Sequence, residues 1–112
     1  MKTLFIIVLI FFSFNLIAQQ NIIDHSLYGF QNLVNDQKNI VDSLIFHKAS
    51  KRKIEKAKNE YYIVAIQRNR YYITVVLPFY FNMKAISREK LEEELNITYN
   101  MDREFNKLIL KK

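Results

Sequence analysis

Residues 61–81 constrain the fold more than any other stretch. They read Tyr-Tyr-Ile-Val-Ala-Ile-Gln, a polar break at Arg68-Asn69-Arg70, then Tyr-Tyr-Ile-Thr-Val-Val-Leu-Pro-Phe-Tyr-Phe. Two runs of β-branched and aromatic residues about a short polar segment have the composition of paired strands. The pattern predicts an antiparallel β-hairpin, with strands over 61–67 and 71–81 and Asn69 or Arg70 turning the chain near the left-handed region. Pairing Gln67 with Tyr71 puts Tyr61, Ile63, Ala65, Ile73, Val75 and Leu77 on one face. Tyr62, Val64, Ile66, Tyr72, Thr74 and Val76 fall on the other. Both faces are apolar, so the sheet needs a cover on each side, from the same chain or from a partner. Pro78 has no amide hydrogen for the ladder, so the second strand ends there or lies on an edge.

The rest of the chain supplies helices to cover that sheet. Leu27, Phe30, Leu33, Val34, Ile40, Val41, Leu44 and Ile45 recur at steps of three and four, which predicts one long helix over 26–48, with Asp24 as a cap. Gln37 interrupts the apolar stripe, and Gly29 weakens the first turns by about 1 kcal/mol relative to Ala. The basic residues that follow either extend this helix or start a short one capped by Ser50. Ser87 with Glu89 marks another helix start, with Ile86 able to staple onto Leu91. Asn96 to Asn100 reads as a break, after which Met101, Phe105, Leu108 and Ile109 make a last helix ending in two lysines. Two strands alone are marginal, so residues 97–99 or 40–46 are candidates for a third. The expected fold is a small single α+β domain: a long N-terminal helix, a central antiparallel β-hairpin and two short C-terminal helices.

The N-terminus carries an address. Lys2 precedes an unbroken apolar run from Leu4 to Phe12, extended to Ile17, and Ala18 precedes the polar Gln19-Gln20-Asn21. A short apolar core between a charged start and a small residue describes a secretory signal peptide over 1–18, leaving 19–112 as the mature domain. The core is short against the roughly 20 residues a membrane-spanning helix needs. Retention of the leader as an uncleaved anchor is the alternative. The chain is therefore expected to be exported, to the periplasm or the cell exterior. The chain has no cysteine, so a lipid-anchored form, disulfide staples, thiol catalysis and iron–sulfur clusters are excluded. A single Gly and a single Pro, with abundant Ile, Asn, Lys, Phe and Tyr, suit an AT-rich bacterial genome and weaken any argument from basic or aromatic content alone.

Two constellations stand out. Lys48, Lys51, Arg52, Lys53, Lys56 and Lys58 form a basic run opposed only by Glu55, in a chain of net charge +6. It is a candidate site for anionic envelope surfaces; nucleic acid is disfavoured by export. The bland reading is a solvated helical face. Tyr62, Tyr72 and Tyr80, with Arg68 and Arg70 at the turn, form a candidate face for a protein partner, a glycan or a small ligand. The bland reading there is cross-strand aromatic pairing. His25 and His47 would lie about 33 Å apart on one helix at 1.5 Å per residue, too far to share a metal. Glu89, Glu92, Glu93 and Glu94 are interleaved with Arg88 and Lys90 on an exposed helix. No acid pair, nucleophile turn or glycine-rich phosphate loop is present, and no metal or cofactor site is expected. The chain reads as a small, non-enzymatic binding protein that works through a protein partner or self-association. The alternatives are an envelope-surface protein held by the leader or the basic run, and a glycan or small-molecule binder.

Overall fold

The computed structural model describes the backbone of residues 2–110 and the side chains of residues 17–109. Every element in it is helical. Helix α1 spans Lys2–Phe46. Helix α2 spans Lys51–Tyr71 and runs without a break through a π-helical segment, Tyr72–Val76, into α3, Leu77–Asn82. Helix α4 spans Arg88–Leu110. The predicted α+β fold is thus overturned: no strand occurs among the described residues. Residues 61–81 are the middle helix of three, residues 97–99 lie within α4, and residues 40–46 lie within α1.

The physical reason lies in the feature that suggested a sheet. A segment apolar on every side suits a sheet covered on both faces, and it equally suits a helix packed between two others. The middle helix packs against α1 on one flank and α4 on the other. Its buried positions, Ala57, Ala65 and Asn69, recur at the helical step of four, and Tyr61 completes the row. Small residues at two of these positions let α1 approach closely. Val34 and Val41 of α1 are buried in return, and the Phe30 ring meets Tyr71 with centroids 5.1 Å apart. β-Branched content lowers helix propensity by only tenths of a kcal/mol per residue. Burial on two sides exceeds that.

Pro78 is accommodated rather than disruptive. The Leu77 amide donates five residues back to the Tyr72 carbonyl, so a π turn closes just ahead of the proline. Pro78 then stands directly after that turn, at the start of α3, and the wider turn accommodates its ring and its missing amide hydrogen within the continuous helix. Arg68-Asn69-Arg70 is not a turn but the last regular part of α2.

The real turns end on lysines. Lys48 (φ 55°) and Lys84 (φ 60°) adopt the left-handed conformation. The Ala49 amide reaches the Leu44 carbonyl at 2.9 Å, and the Ala85 amide reaches the Tyr80 carbonyl at 2.9 Å. Both are Schellman closures built without glycine. Ser50 then caps α2 by accepting from the Lys53 amide (3.3 Å), and Ser87 caps α4 by accepting from the Lys90 amide (3.1 Å). The long helix predicted over 26–48 starts far earlier, at Lys2, so Asp24 is internal to α1 and caps nothing. The two predicted C-terminal helices are one, and Asn96 to Asn100 does not interrupt it. The molecule is an open three-helix array measuring 71 × 26 × 17 Å. The predicted cleavage point after Ala18 falls within α1, and the leader's side chains up to Leu16 lie outside the described residues. Among the described residues no helix is long and apolar enough to cross a membrane.

Candidate functional site

Helices α1 and α4 both pack against the middle helix and do not pack closely against each other. The space between them is a trough of about 530 Å³. Leu27 and Tyr28 of α1 form one wall, and Ile97 and Met101 of α4 the other. Tyr28 is 65% exposed and Ile97 48%. Arg68, Asn69 and Tyr72 provide the floor. This is a concave, mainly apolar site with a few convergent polar groups, the usual make-up of a binding cleft.

The floor is held by hydrogen bonds that run across all three helices. The Arg68 guanidinium donates through Nη1 to Gln31 Oε1 of α1 (2.7 Å). It also donates through Nε and Nη2 to Asn69 Oδ1 (3.1 and 2.6 Å). Asn69 is 2% exposed and donates its own Nδ2 to Asp102 Oδ1 of α4 (2.8 Å). Gln31 passes the chain on to Asn35 (3.0 Å). A buried amide is tolerated in a core only when its donor and acceptor are both used, and here both are. Such a network fixes the register of three helices that apolar contact alone would leave free to slide. Gln37, which interrupts the α1 stripe, has a comparable role nearer the α1–α2 turn. Its amide nitrogen donates to the Ala57 carbonyl (3.4 Å) and to Glu60 (3.3 Å) of α2.

Tyrosines tie the lower part of the trough. The Tyr72 hydroxyl donates to Glu94 of α4 (3.2 Å). Burial, then the nearby Glu94 carboxylate, pushes the Tyr72 phenol above the ordinary tyrosine value of 10.0. The Tyr80 hydroxyl donates to Asp24 of α1, and that bond raises its pKa as well. Both phenols are therefore protonated and donating at neutral pH.

The candidate face predicted from sequence is divided by the helical fold. Arg68 and Tyr72 meet in the trough. Tyr62 instead stacks on Phe105 of α4, with centroids 5.7 Å apart. Tyr80 turns to Asp24, and Arg70 is exposed away from the trough lining. Sequence reasoning missed Gln31, Asn69, Asp102 and the α4 wall. A signal was present in Gln31 and Asn69, polar residues at helical spacing among apolar ones, but it required the helical period. The basic run has a separate location: Lys48 lies in the α1–α2 turn, and Lys51, Arg52, Lys53, Lys56 and Lys58 lie on the first turns of α2. His25 and His47 lie in or just past the unbroken α1, and no metal-binding group of acids and histidines occurs among the described residues.

Comparison with protein-family models, curated proteins and solved structures gives no match.

Proposed function

We propose that this chain is a small, exported, non-enzymatic binding protein, and that the trough between α1 and α4 receives an amphipathic helix of a partner protein. One observation carries the reading: two helices flank a third without packing closely on each other, which leaves the fourth position of a helix bundle open. A helix laid there would cover Tyr28, Ile97 and Met101 by apolar contact, the groove-docking mode by which many helical segments are recognised. The polar floor would select among such helices, because an occupant must either satisfy or avoid Arg68 and Asn69. Net charge +6 disfavours a second copy of this chain as the occupant, since two such copies repel. The glycan reading has less support, because Tyr62, Tyr72 and Tyr80 are engaged in contacts between helices.

The test uses photo-crosslinking in the producing cell. A photoreactive residue in place of Ile97 should give a discrete adduct that one in place of Glu93, outside the trough lining, does not. Tyr28→Asp should abolish that adduct while leaving the helical circular-dichroism signal unchanged. Equal crosslinking from both positions would refute the trough as the binding surface.

A further inference from the structure

The α1–α2 turn, at one end of the long molecule, has a chemistry unlike the trough. The ring of Phe46 is 81% exposed, and Ile45 beside it is 49% exposed. The ring's one aromatic neighbour among the described residues is His47, edge-on at 5.2 Å. Around this apolar point stand Lys48, Lys51, Arg52, Lys53 and Lys56, all exposed.

Glu55 is the one acid within this run and forms no ion pair with it, and helix stability does not explain the cations. Every ion pair among the described residues lies within α4: Arg88–Glu92, Lys90–Glu93, Lys90–Glu94 and Lys107–Glu104. None involves the turn. The first turn of α2 carries Lys51, Arg52 and Lys53 and no acid. That is the positive end of the helix dipole, where cations are unfavourable. Helix α4 has the opposite arrangement, with Glu89 in its first turn and Lys107 in its last. Stacking bases on a helix N-terminus beside a bare aromatic ring weakens the local structure, so a purely structural role does not account for it.

We propose that this turn is a contact for an anionic lipid bilayer. The basic side chains take the headgroups, and Phe46, with Ile45, enters the interface between headgroups and acyl chains. Each Lys or Arg near an anionic surface contributes an attraction of about 1 kcal/mol. An apolar ring among them adds burial that a polyanion in water could not provide. The lysine stems can lie along the interface while their ammonium groups stay with the phosphates. The position suits an end-on contact. Gln31 of the trough is about 22 Å from Phe46 along α1 at 1.5 Å per residue, so the trough would stay open. This inference stands apart from the trough's function and does not depend on it.

The test uses the full chain with vesicles of phosphatidylcholine, with and without phosphatidylglycerol. The neutral vesicles give the baseline for any insertion of the apolar N-terminus. Phosphatidylglycerol should strengthen binding well above that baseline, and the increment should fall as salt rises. The triple variant Lys51→Gln, Arg52→Gln, Lys53→Gln should lose about a hundredfold of it, at about 1 kcal/mol per charge. The chain has no tryptophan, so Phe46→Trp introduces a single indole. Its emission should shift to the blue on phosphatidylglycerol vesicles and stay unshifted with inorganic polyphosphate. Binding that is equal on both vesicle types, or unchanged in the triple variant, would overturn the proposal. Polyphosphate binding without a vesicle-induced shift would also overturn it, in favour of a plain polyanion contact. Circular dichroism of each variant separates loss of contact from loss of fold.

Discussion

The two ends of the middle helix differ in what holds them. Its first ten residues, from Lys51, are mostly charged and mostly exposed, and Ala57 alone among them is buried. Its later part, from Tyr61 through the π segment to Leu77, is packed between α1 and α4. Ala65, Asn69, Val76 and Leu77 are buried there. One continuous helix therefore passes from a solvated hairpin tip into a core enclosed on two sides. The exposed end is free to carry charge that the packed end could not hold. The packed end admits polar groups only where every donor and acceptor is matched, as at Asn69. Surface chemistry is thus concentrated at the tip and structural specificity at the core.

Truncation should expose this difference most strongly. Leu77→Ala removes a buried side chain from the packed end and should cost about 3 kcal/mol, the usual range for such a cavity. Ile54→Ala, at a half-buried position near the tip, should cost no more than about 1 kcal/mol. Denaturant midpoints of the two variants measure the contrast, and equal losses would mean that the tip is as tightly held as the core.

The polar floor should come next. Asn69→Ala leaves the Asp102 carboxylate without its donor and the Arg68 guanidinium without the oxygen that receives two of its bonds. The expected loss is about 2 kcal/mol, most of it from unsatisfied polar groups rather than from the missing amide itself. Combining Asn69→Ala with Asp102→Ala should cost less than the sum of the two single changes. An additive result would show that the network does not couple α2 to α4.

These same residues mark how far the fold could be read in advance. The serine cap at Ser87 was legible, and that at Ser50 as one of two alternatives, because a side-chain oxygen ahead of a helix has a local purpose that tertiary structure seldom alters. The apolar period of α1 was legible in part: Leu27, Phe30, Val34, Val41 and Leu44 are buried or half-buried, while Leu33, Ile40 and Ile45 of the same predicted stripe are exposed. Residues 61–81 were not legible, since a helix with neighbours on two sides shows no single stripe and its β-branched residues imitate a strand. Pro78 strengthened the error, as nothing local announces that a π turn will precede it. The trough was legible only in part. Arg68 and Tyr72 were singled out as a hairpin face and meet for a different reason, a spacing of four on a helix. The α4 wall could not be placed while Asn96 to Asn100 was read as a break, although Thr98 sits there without strain, its hydroxyl donating to the Glu94 carbonyl at 2.7 Å.

Alkaline titration should separate the two ends by pH. The Tyr72 phenol has a folded pKa above its ordinary value, through burial and Glu94. Its contribution is therefore fully present below the ordinary value of 10.0 and is lost as pH rises through the folded value. Stability should be level with respect to this group at neutral pH and decline in that alkaline window. Tyr72→Phe should flatten part of the decline. Tyrosinate absorbance followed alongside thermal unfolding would test this, and an unchanged pH profile in Tyr72→Phe would show that ionisation of the Tyr72 phenol is not linked to folding.

The smallest effect is expected at the turn, and it has the opposite sign. Lys48 adopts φ 55°, a conformation that costs an L-residue about 1 kcal/mol and glycine almost nothing. Lys48→Gly should therefore stabilise the fold, by somewhat less than that because glycine also frees the unfolded chain. Lys84→Gly, at the equivalent closure after α3 (φ 60°), should gain a similar amount. The pair is informative because only one of the two lysines belongs to the basic tip. If both substitutions stabilise but only Lys48→Gly weakens binding to phosphatidylglycerol vesicles, then Lys48 is kept at a strained position for its charge. If neither affects vesicle binding, the strained lysine is incidental, and the contact rests on the first turn of α2 and on Phe46.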